Sequence, residues 1–167
     1  MFLSSAFLAQ AEVTRIPLSN GTLAIEITPD IGGRVLSVNV LNEPNFLLVG
    51  AAVESDPNPS VTPEANNIAY LGHETWVGPQ SEWWLHQLVN EQRAAAKAVW
   101  PPDPFLILAK NTLLENNAQQ VMLQSPNSPV SGVVLQKTFS LVKDKPNQIR
   151  LDVTAQNIRD SNIAWDI

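Results

Sequence analysis

The sequence predicts a mainly β protein, an antiparallel β-sandwich with one short helix near residues 81–98. Three observations lead there. Apolar and polar residues alternate over several short runs, the period of a strand with one buried face. Turn-forming residues separate those runs: there are thirteen prolines and seven glycines, with Asn, Ser and Asp clustered among them. Helical and strand patterns do not alternate along the chain, which sets aside a parallel α/β sheet. Nor does the chain show an internal repeat or a low-complexity tract.

The first eleven residues are apolar and end in Ala9-Gln10-Ala11, a small-x-small pattern of signal-peptidase cleavage without a basic leading region. Two readings stay open. The segment is either a signal-peptide remnant, which places the protein outside the cytoplasm (periplasmic or secreted), or a first strand docked on the sheet, which leaves it cytoplasmic. Residues 12–167 then form a single β-sandwich domain.

Asn20-Gly21 supplies a turn into LAIEIT, where Leu23, Ile25 and Ile27 share one face and Ala24, Glu26 and Thr28 the other. Pro29 to Gly33 reverse the chain, and RVLSVNVL alternates again as an antiparallel neighbour. NFLLVG, residues 45–50, reads as a short buried strand. Residues 51–67 are rich in Pro, Asn, Ser and Asp without a period, and predict a long surface loop.

Ser81 is a candidate N-cap for the Ala-rich helix before Trp100. Pro101, Pro102 and Pro104 argue against regular helix, so residues 100–105 are expected extended or turned. Three strand-like runs follow, NTLLENNAQQVMLQSP, GVVLQKTFSLVKDK and NQIRLDVTAQNIRD, the last two joined by a turn at Asp144 to Asn147. NIAWDI, residues 162–167, reads as a final apolar strand with no polar trailer. It is either a last edge or the point where a longer sheet is cut, and an unpaired edge there would invite self-association.

Composition narrows the function. At 167 residues the chain suits one domain with a real core. A formal charge of -6, with ten scattered Lys and Arg, argues against a nucleic-acid partner. There is no cysteine, hence no disulfide, thiolate nucleophile or Cys-based metal site. No run reaches the roughly 18 apolar residues of a membrane span. No cofactor motif is present: Gly32-Gly33 lacks both the spacing and the strand-to-helix context of a phosphate loop.

LAIEITPDIGGRVLSVNV followed by NFL resembles the opening of galactose-mutarotase-like proteins. More closely, the chain is similar to an uncharacterised family of that fold with a Gly-His-x-x-Trp-x-x-Pro-Glu/Gln segment, here Gly72, His73, Trp76, Pro79 and Gln80. A long strand ending at Asn157, then a turn and an apolar strand with Trp165, continues the resemblance, which spans residues 23–167. It implies a β-supersandwich, here a partial one, and a carbohydrate ligand. It also implies a late Glu base and a His acid for anomeric proton transfer. That Glu has no counterpart here.

YLGHETWVGPQSEWW, residues 70–84, is the candidate site. Sugars present C–H faces and hydroxyls, which aromatic planes and planar polar groups recognise. Trp76 and Trp83 or Trp84 offer planes; His73, Glu74, Gln80, Glu82 and His86 offer hydrogen bonds. Substrate-binding candidates are therefore Arg34, His73, Trp76, Gln80 and Trp83. If catalytic, the chain would use His73 as acid and Glu74 as nominal base, although neighbours on a strand face opposite ways. Taken one at a time, each of these tryptophans reads more readily as a core residue than as a ligand plane. Trp83 and Trp84, being adjacent, cannot both enter one face of a strand, so at least one is expected to face a loop, a cleft or a helix flank.

A metal site is not expected: His73-Glu74 lacks a second His at i+4. Arg34 reads either as a cleft guanidinium or as a surface partner of Asp30. Asp103, between prolines, reads as part of a rigid turn rather than a fixed carboxylate. The alternative to a carbohydrate-binding or carbohydrate-modifying protein is a non-catalytic extracytoplasmic module, or a truncated remnant without activity.

Overall fold

The computed structural model describes residues 12–167; both readings of the first eleven residues lie outside the described residues. The protein is mainly β. One antiparallel sheet has the order β1 (Ile16–Ser19), β2 (Leu23–Thr28), β3 (Arg34–Val40); the other runs β4 (Thr112–Asn116), β5 (Gln120–Gln124), β6 (Val133–Leu141), β7 (Ile149–Asn157). Every pairing is between chain neighbours, because short turns restrict each strand to the one before it.

The sheets pack through the faces that alternation marked. Ile25, Ile27 and Val35 of the first meet Val121, Leu123 and Phe139 of the second. β1 lies against β5 and β6 and closes one side of the sandwich. On the other side, between β3 and β7, lies a cleft of about 750 Å³ walled by Val35, Val38, Ile149 and Leu151. A second apolar cluster, with Ile31, Leu36, Tyr70 and Ile107, covers the outer face of β3. That is why Val35 and Leu36, on opposite faces, are both buried.

Several elements differ from expectation. NFLLVG is not a strand: Phe46 and Leu48 are 70% and 76% exposed, and only Val49 forms a bridge, to Leu71. Asn45 takes that place at the β3 edge, its Oδ1 accepting from Val38 N and its Nδ2 donating to Leu36 O, both at 2.9 Å. NTLLENNAQQVMLQSP is a hairpin, not one run, turned by Asn117 Oδ1, which accepts from the backbone N of Gln119 and Gln120. NIAWDI forms a single bridge, Asp166 with Gly78.

Helix near residues 81–98 comes in two pieces, a 3-10 turn at Gln80–Glu82 and α2 (Glu91–Ala95), preceded by α1 (Ala52–Ser55). Asn90, not Ser81, caps α2, accepting from Arg93 N at 2.9 Å. The prolines at 101–104 do not exclude helix. Pro104 opens α3 (Pro104–Ile107), where a missing N–H leaves no helical bond unmade, and the Asp103 carboxylate caps it. Among the described residues, no helix is long and apolar enough to cross a membrane.

Candidate functional site

The segment 73–76 runs beside β3. His73 exchanges backbone hydrogen bonds with Val35, at 2.9 and 3.0 Å, so it is extended and its neighbours point to opposite sides. His73 turns outward to the cleft. Glu74 turns back to Arg34.

Arg34 is therefore neither a surface partner of Asp30 nor a cleft guanidinium: it is 1% exposed. Its guanidinium donates to Glu74 Oε2 at 2.6 Å, Leu71 O at 2.6 Å and Ile107 O at 3.1 Å, and lies 5.6 Å from the Tyr70 ring centre. Asp30 pairs instead with Lys110, at 2.6 Å. Burial and the nearby Asp56 charge push the Tyr70 hydroxyl up to about 12.

Lys137 completes this cluster and was not among the candidates. Its Nζ donates to Gly32 O at 2.7 Å, and Gly33 O lies at 3.4 Å. Burial, reinforced by the Arg34 charge and opposed by Glu74, pushes its ammonium down to about 7. Alternation does mark it: Leu135, Lys137 and Phe139 share the inward face of β6. The cluster holds the turn at Gly32-Gly33, which has no space for a side chain; a Cβ on Gly32 would meet Ile107 O at 2.5 Å. Gly32 also has φ +66°, a conformation that favours glycine.

Asp103 is more than part of a rigid turn. It is a fixed, buried carboxylate, accepting from Phe105 N, Ser131 N and the Ser128 hydroxyl. Burial pushes its carboxyl up, and the Ser128 and Ser131 hydrogen bonds oppose that. It ties α3 to the loop before β6 and is 3% exposed.

The open chemistry lies on the other side of Glu74. His73, Glu74 and Trp76 line a cavity of about 440 Å³ floored by Leu151 and Val153. Trp76 also borders an adjoining cavity of about 260 Å³ with Gln80, Trp83 and Asp166. Trp76 is 37% exposed, and its ring stands edge-on to Trp83 at 5.4 Å and to Trp100 at 5.9 Å. Trp100, half exposed, is the aromatic that sequence reasoning left out of the site. Gln80 links the two segments, its Nε2 donating to Val99 O at 2.7 Å beside Trp100.

Trp83 supports this platform from below: it is buried, with its indole N–H donating to Val77 O. Trp84 is buried too, donating to Pro101 O at 2.8 Å beneath the Arg93 guanidinium. The expectation that at least one of the pair faces a loop, a cleft or a helix flank assumed an extended strand. Residues 80–86 are turns, and successive side chains there both reach the core. Glu82 and His86 pair with each other at 2.9 Å, and His86 borders a separate depression beside Arg159.

The structure thus joins His73, Glu74, Trp76, Gln80 and Trp83 along one groove and leaves Arg34 behind it. Among the described residues, no group of three His, Asp or Glu could hold a metal ion. A family model, Domain of unknown function (DUF4380), matches residues 13–167. No curated protein and no solved structure matches the chain.

Proposed function

We propose that this chain, which belongs to the DUF4380 family, binds a carbohydrate in the groove that runs from His73 past Trp76 to Asp166. The observation that carries the reading is the Trp76 indole, part exposed and held edge-on by Trp83 and Trp100, with His73, Gln80 and Asp166 along the same groove. A rigid aromatic edge beside imidazole, amide and carboxylate suits a ligand with apolar C–H faces and ringed hydroxyls. The resemblance of residues 23–167 to galactose-mutarotase-like proteins favours the same ligand class.

Binding without turnover is the better-supported form. His73 is exposed and chemically suited to act as an acid, but Glu74, the nominal base, is engaged by Arg34 at 2.6 Å. Catalysis at an anomeric centre would draw that carboxylate away from a buried guanidinium.

Titration of a panel of mono- and oligosaccharides, followed by tryptophan emission, tests the reading. At least one sugar is expected to give a saturable change that Trp76→Ala abolishes. Silence across the panel sinks it. Anomer interconversion, followed by polarimetry, should stay at the spontaneous rate; acceleration that His73→Ala removes would instead establish mutarotation.

A further inference from the structure

The turn between β1 and β2 carries a reactive pair that the groove does not use. Asn20 is the one asparagine in the sequence followed by glycine. With no side chain on Gly21, nothing shields the nitrogen next to the Asn20 amide. The turn is open as well: Ser19, Gly21 and Thr22 are exposed, and a Cβ on Gly21, whose φ is +83°, would meet nothing within 4 Å. Water and hydroxide therefore reach both groups.

The fold nevertheless holds each reacting atom. Asn20 Oδ1 accepts from Thr22 N at 3.0 Å and Leu23 N at 2.9 Å, a side-chain turn of the kind asparagine favours. Its Nδ2 donates to Pro146 O at 2.9 Å, in the turn between β6 and β7. That bond ties the first hairpin of one sheet to the last hairpin of the other. Gly21 N donates to Ser19 Oγ at 3.2 Å, and the Ser19 hydroxyl donates in turn to Leu23 O at 3.1 Å. With its hydrogen committed to Leu23, Ser19 faces Gly21 only as an acceptor.

We propose that Asn20 is a site of spontaneous deamidation, and that its bonds to Pro146 and Ser19 gate the reaction. Hydroxide removes the Gly21 amide proton, and the nitrogen attacks Asn20 Cγ. The new N–Cγ bond forms as the Cγ–Nδ2 bond breaks, and Nδ2 takes a proton from water and leaves as ammonia. Water then opens the five-membered imide. Cleavage of the N–Cγ bond gives aspartate; cleavage at the backbone carbonyl gives isoaspartate, which adds a carbon to the backbone of the turn. While the fold is intact, Ser19 Oγ stabilises the Gly21 N–H and opposes its anion, and Pro146 O holds the leaving group. Once formed, the carboxylate has no proton to give Pro146 O, so the two hairpins are no longer tied. The site is slow while the turns are together and fast when they part.

Incubation of the full chain at mildly alkaline pH, native and in concentrated urea, followed by peptide mass mapping that separates aspartate from isoaspartate, tests this independently of sugar binding. In urea, Asn20 is expected to convert faster than any other asparagine. In the folded chain it should convert about tenfold more slowly or less, because two hydrogen bonds must first open. Ser19→Ala, which frees the Gly21 amide, should raise the native rate about fivefold and leave the rate in urea unchanged. Asn20→Asp, which supplies the carboxylate without the added backbone carbon, should lower the urea midpoint of unfolding. No conversion of Asn20 in urea overturns the site. A native rate equal to that in urea, or an Asn20→Asp midpoint equal to wild type, overturns the gate.

Discussion

Two groups of polar and aromatic side chains flank the segment 73–76, and they differ in one respect. Behind it, Arg34, Lys137 and Tyr70 are buried beneath the turn at Gly32-Gly33, with the two terminal nitrogens of Arg34, the Lys137 ammonium and the Tyr70 hydroxyl engaged by Glu74 and by backbone carbonyls. In front, His73, Trp76 and Trp100 are exposed to solvent and border the groove or pack at its rim. The denser cluster is the structural one. Charged groups whose hydrogen bonds are already made to the fold hold a turn; groups turned to solvent along a concave surface are those a ligand can meet.

The largest expected effect breaks the buried side. Arg34→Ala strands Glu74 and two carbonyls, and should cost about 3–5 kcal/mol in chemical denaturation. A cost near zero would show that the cluster does not hold the fold. Gly32→Ala sets a Cβ against Ile107 O in a left-handed conformation, and should cost about 1–3 kcal/mol by the same measurement.

Lys137 gives this side a pH signature. Its folded value, about 7, lies below the ordinary 10.5, so between the two the unfolded chain binds the extra proton. Stability therefore rises with pH from about 7 upward, by at most about 1.4 kcal/mol per pH unit. Below that window both states are protonated and the slope vanishes. Tyr70, with its hydroxyl raised, acts in the opposite sense only above its ordinary value of 10.0. Unfolding midpoints at pH 7, 8 and 9 should climb in wild type and stay flatter in Lys137→Met.

The smallest expected effect on folding sharpens the contrast from the exposed side. Trp76→Ala removes edge contacts to two indoles, and should cost about 1 kcal/mol of stability while abolishing the sugar-induced emission change. If its folding cost matches that of Arg34→Ala, the division between frame and groove fails.

Much of the frame was legible. Alternation in LAIEIT, RVLSVNV and VVLQKTFSL, with turns at Asn20-Gly21 and Asp144 to Asn147, determined the strands and their antiparallel order, because period and turn chemistry are local properties. The aromatic and polar residue types of the groove were legible for the same reason, and so was the inward side of β6 that carries Lys137. Tertiary structure decided the rest. NFLLVG and NIAWDI are apolar enough for strands, but Asn45 occupies the edge that the first would take, and Trp165 instead anchors the second, donating to Ser131 O at 2.9 Å. Whether Trp83 and Trp84 are both buried, whether Glu74 faces a ligand or Arg34, and whether Trp100 joins the groove depend on which distant segments pack there. Local pattern determines the direction a side chain takes from the backbone; what it meets is decided only when the sheets and loops come together.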